Sequence, residues 1–60
     1  MAGEYQEKEL QDGRVACLEC DYRHNPSAPW IVTMIKGDEC EWYKCFQNRA
    51  AALKEYDKWK

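Results

Sequence analysis

Four cysteines carry the most chemistry in this sequence. Cys17 and Cys20 form a C-x2-C pair, Cys40 and Cys45 a C-x4-C pair, and 19 residues separate the two. Thiolates clustered this way match what tetrahedral Zn²⁺ requires, four sulfurs converging from two turns at about 2.3 Å from the ion. Two other chemistries use the same residues. A secreted mini-protein would make two disulfides, with three connectivities open, and a redox C-x-x-C would need a βαβ unit, whereas no helix-forming stretch follows Cys20 directly. The N-terminal segment has no apolar h-region of a secretory signal. A chain starting at Met1 is therefore expected in a reducing compartment, the cytoplasm, where thiols stay free and clustered pairs hold metal. The expectation is one Zn²⁺ per chain on Cys17, Cys20, Cys40 and Cys45, with His24 as the one substitute ligand nearby. Four thiolates leave no open coordination position, so the site is expected to be structural and the protein not to be an enzyme.

The segment Cys17-Leu18-Glu19-Cys20-Asp21-Tyr22-Arg23-His24-Asn25-Pro26 resembles the first knuckle of rubredoxins, C-x-x-C-G-Y-x-Y-D-P, and Trp30 and Trp42 are similar to the aromatic core of that family. The resemblance covers that segment alone: Asp21 stands where the family has Gly, the spacer is shorter, and the second pair is C-x4-C. It implies a rubredoxin-like or zinc-ribbon architecture, with iron and electron transfer as a minor alternative to zinc. The order of the two pairs is also similar, by spacing only, to the phage late-transcription activators of the Ogr/Delta family.

The elements that must position these thiols are short. Residues 1–13 hold Glu4, Glu7, Glu9 and Asp12 against Lys8 and read as an acidic N-terminal tail ended by the Asp12-Gly13 turn signal. Residues 14–60 are then the zinc-binding domain. Arg14-Val15-Ala16 reads as a short strand feeding the first pair, and residues 25–29, with two prolines, as a loop. Residues 30–35, Trp-Ile-Val-Thr-Met-Ile, are the strongest strand, apolar on both alternating faces and so with more than one surface to cover.

Gly37-Asp38 turns the chain into the second pair. Asp38 with Glu41 has the form of a capping box, which would start a helix near residue 39. In one regular helix, however, Cys40 and Cys45 would lie about 140° apart around the axis, too far to close on one ion. If both are ligands, residues 40–45 form a wide turn and Asn48 caps a helix over residues 49–59. The fold class expected is small α+β, a zinc ribbon with two Cys knuckles, a β-hairpin and a C-terminal helix.

Composition narrows function further. The chain has 60 residues, 33% charged and 13% aromatic, with a net charge of −2, and its apolar stretches are too short for a membrane span. A chain this small rarely stabilises itself by its core alone, which is why a metal staple is attractive. On the helix, Phe46, Ala50, Ala52, Leu53, Tyr56 and Trp59 fall within an arc of about 180°, wider than the roughly 100° stripe a surface helix needs. Either the whole arc packs on the strands, or Phe46, Ala50 and Leu53 face the core while Ala52, Tyr56 and Trp59 meet a partner, aromatics being favoured at interface centres.

Nucleic acid is the alternative target. Arg23, Arg49, Lys54 and Lys58 would carry it, yet they form no single basic stripe. The Asp38-Glu39-Glu41 cluster reads as a solvated turn. Together these features point to a non-enzymatic regulatory or adaptor protein, a monomer or weak homodimer, that binds a larger protein. By analogy with other compact zinc modules it would suit a phage or prokaryotic regulator or inhibitor of transcription or other nucleic-acid machinery.

Overall fold

Alternation of side chains is what organises the chain, and it does so through more of its length than the apolar pattern suggests. A computed structural model describes residues 4–60. Four strands, β1 (Tyr5–Glu9), β2 (Val15–Cys20), β3 (Trp30–Lys36) and β4 (Glu39–Phe46), are followed by one helix, α1 (Arg49–Lys58). The strands pair in sequence order as an antiparallel meander, β1-β2-β3-β4. The fold is thus α+β, one sheet with one helix laid across one of its faces.

Two glycines make the tight turns possible. Gly13 (φ +91°) closes the β1–β2 connection, where its amide donates to the Leu10 carbonyl at 3.0 Å. Gly37 (φ +60°) begins the two-residue Gly37-Asp38 link of the β3–β4 hairpin, the position at which a type II′ turn requires a positive φ. The longer β2–β3 connection is held by Asp21: its carboxylate accepts from the amides of Arg23 and His24, and its own amide donates to the Pro29 carbonyl at 2.8 Å.

The core lies between the helix and one face of the sheet. Ala16 and Leu18 from β2, Val32 and Met34 from β3, Ala52 and Tyr56 from α1, and Leu10 beyond β1 form one buried cluster, with Trp30, Trp42, Phe46, Leu53 and Trp59 packed around it. Leu18, Val32 and Ala52 are fully buried. Asn48 caps the helix as expected, its Oδ1 accepting from the Ala51 amide at 2.9 Å. Asn48→Ala is expected to lower stability by about 1 kcal/mol. Thermal unfolding checks it, and an unchanged midpoint would mean that the cap contributes nothing.

Two expectations are corrected here. Residues 5–9 are not a tail: they form β1, paired along their length with β2. Their acidic content hides a regular alternation, in which Gln6 and Lys8 lie towards the helix side and Tyr5, Glu7 and Glu9 away from it. The proposed partner residues Ala52, Tyr56 and Trp59 are not a free face either. Ala52 is 0% and Tyr56 5% exposed, and Trp59 is half-buried, its ring centroid 5.7 Å from that of Trp42. The sheet is wide enough to cover the apolar arc, so the surplus that suggested an interface is core. Ala50, by contrast, is exposed.

Candidate functional site

The cysteines sit in strands rather than on knuckles. Cys17 and Cys20 belong to one regular strand, β2, and three residues of extended chain put their side chains on opposite faces. Cys20 shares the helix side with Ala16 and Leu18, while Cys17 lies on the other face opposite Thr33. Cys40 and Cys45 lie near the two ends of β4, about 16 Å apart at the usual strand rise, opposite Ile35 and Ile31. Sulfurs bound to one zinc lie within about 4.6 Å of each other, twice the Zn–S distance. As placed, the four thiols do not converge, and no group of three or more His, Cys, Asp or Glu able to hold a metal occurs among the described residues. The donor set therefore does not fit a four-thiolate centre in this conformation. All four cysteines are free, Cys17 and Cys20 buried, Cys45 half-buried and Cys40 exposed. His24 is an exposed residue of the β2–β3 connection.

The other sequence-expected residues are also dispersed. Asp38, Glu39 and Glu41 are exposed, as a solvated turn would have them. Arg23 lies in the β2–β3 connection. Arg49, at the helix start, makes a bidentate pair with Glu4 at 3.0 and 3.1 Å, and Lys58 pairs with Glu55. The Arg49 guanidinium holds the Glu4 carboxyl below its ordinary range. Lys54 is exposed on the helix.

What the fold does assemble is the sheet face turned away from α1. Val15, Cys17 and Glu19 of β2, Ile31, Thr33 and Ile35 of β3, Tyr43 and Cys45 of β4, and Tyr5, Glu7 and Glu9 of β1 share it. Among the described residues no element packs on this face. Its centre is nevertheless dense: Cys17 is 4% and Ile31 8% exposed, whereas Tyr5 and Tyr43 stand out at 59% and 62%. The Tyr5 hydroxyl donates to Glu7 Oε2 at 2.8 Å and lies 3.7 Å from Cys17 Sγ. That sulfur first, and then the Glu7 carboxylate, hold the Tyr5 phenol far above the usual tyrosine range. Sequence reading missed Tyr43 and Tyr5 as surface anchors. The signal was present in the strand apolar on both faces, because one helix can cover only one of them.

Comparison with known proteins returned no matching family, no similar curated protein and no similar solved structure. Among the described residues no helix is long and apolar enough to cross a membrane.

Proposed function

We propose that this chain is a non-enzymatic adaptor or regulator that acts by docking on a larger protein through the open face of its sheet. The observation that carries the reading is the pair of exposed tyrosines, Tyr5 and Tyr43, flanking an apolar centre of Val15, Ile31 and Ile35 on a face that no described element covers. An antiparallel sheet whose second face is meant for water alternates polar outward residues along its central strands, and β3 does not. Large aromatics that are rigid and half water-facing are the residues most enriched as interface anchors. The adaptor role expected from the sequence is kept, with its seat moved from the helix to the sheet.

The test is capture of a partner by the immobilised protein from nuclease-treated lysate, repeated at raised salt. One protein retained at stoichiometric yield is expected to be lost in Tyr43→Ala, whose cost of about 2 kcal/mol or more corresponds to roughly thirtyfold in affinity. It is expected to stay bound by Tyr22→Ala, since Tyr22 is as exposed, at 62%, but lies in the β2–β3 connection. Retention by Tyr43→Ala would refute the reading. Loss of every captured protein on nuclease treatment would favour nucleic-acid binding instead.

A further inference from the structure

Resting on that docking reading, we propose that the partner surface this face accepts is a protein surface with aliphatic side chains at its centre and Lys or Arg at its rim. Charge is segregated between the two faces of the sheet. On the open face Glu7, Glu9 and Glu19 stand on β1 and β2, and no Lys or Arg occupies an open-face position of any strand. The strand cations lie on the helix side: Lys8 Nζ is 4.5 Å from the Tyr56 ring centroid and Lys44 Nζ 5.5 Å from that of Phe46. The three glutamates are not neutralised internally. The ion pairs among the described residues join Arg14 to Asp12 and Glu41, Arg49 to Glu4, and Lys58 to Glu55.

Docking on the apolar centre strips water from its border, and the carboxylates there must be met by charge or remain partly desolvated at a cost. A rim of Lys and Arg removes that cost and steers the encounter. A neutral surface leaves the carboxylates unmet. A phosphate backbone or an anionic bilayer is repelled by them. A second copy of the chain brings three more glutamates and no open-face strand cation to answer them.

Two short blocked amphipathic peptides provide the probe, sharing one leucine pattern and differing in carrying Lys or Glu at every polar position. A labelled single-stranded oligonucleotide is the third. The Leu/Lys peptide is expected to bind the full chain at least about tenfold tighter than the Leu/Glu peptide, several weak rim pairs adding together. Combining Glu7→Gln with Glu19→Gln should remove most of that preference. Combining Asp57→Asn with Glu55→Gln, which changes net charge equally on the helix behind the sheet, should leave it. Tyr43→Ala should weaken both peptides, and Tyr22→Ala neither. Equal affinity for the two peptides, binding of neither, equal loss in the helix pair, or tighter binding of the oligonucleotide would overturn the basic-rim proposal. The docking reading fails separately, if Tyr43→Ala leaves peptide binding unchanged.

Discussion

Replacing Tyr56 by alanine is expected to leave about half or more of the protein unfolded at 25 °C. Tyr56 is 5% exposed and sits among Leu10, Ala16, Leu18, Val32, Met34 and Ala52, with the Lys8 ammonium over its ring. Truncating a buried aromatic to alanine costs about 3–5 kcal/mol, the lost transfer energy plus the cavity left behind. A core this small rarely supplies more than about 3–5 kcal/mol in total, so the loss matches the whole. Tyr56→Phe keeps the ring and the volume and is expected to cost less than about 1.5 kcal/mol. Urea unfolding followed by the fluorescence of Trp30, Trp42 and Trp59 reads both variants. If Tyr56→Ala unfolds within about 0.5 kcal/mol of the parent, the size of an ordinary surface substitution, the helix is not docked and its aromatic arc is free for a partner.

That contrast shows what could be read from sequence. The α+β class, β3 and the Asn48 cap were legible because each rests on local chemistry: β-branched alternation, a two-residue Gly turn, and a side-chain oxygen three residues before an orphan amide. The helix start was legible for a reason the structure does not supply. Cys40 and Cys45 are kept out of the helix because they lie in β4, which pairs with β3.

Strand β1 was hidden because its alternation is polar on both faces. Tyr5-Gln6-Glu7-Lys8-Glu9 becomes a strand by pairing with β2, which is a tertiary effect that propensity does not carry. Thiol spacing competed with strand periodicity in Val15–Cys20, and periodicity organises the segment: Ala16 and Leu18 enter the core while Cys17 turns to the open face. The helix arc misled by its width alone, since a stripe becomes an interface only if the opposing sheet is too narrow to cover it. Here Trp42 extends the covering as far as Trp59.

Serine substitution of the four cysteines is expected to separate strand from knuckle, because the two arrangements rank the residues differently. A four-thiolate zinc centre makes them equivalent: each ligand lost forfeits much of a binding energy of about 10–16 kcal/mol that is also folding energy. In the sheet they are unequal. Cys20 is buried on the helix side at 8% exposure, and a hydroxyl placed there without a partner costs about 1–3 kcal/mol. Cys17 is buried as deeply, at 4%, but the Tyr5 hydroxyl 3.7 Å from its sulfur offers a serine a neighbour, so its cost should be smaller. Cys45, half-buried, follows, and exposed Cys40 should change stability by less than about 0.5 kcal/mol. The same placement predicts that a strong chelator leaves the near-ultraviolet circular dichroism of the three tryptophans unchanged. Should all four serine variants collapse together and the chelator erase that signal, the thiols converge on a metal in solution and β2 and β4 are not the strands described. A graded series with Cys20→Ser the most damaging, and no response to chelator, establishes that the packed sheet and helix suffice to hold this chain together.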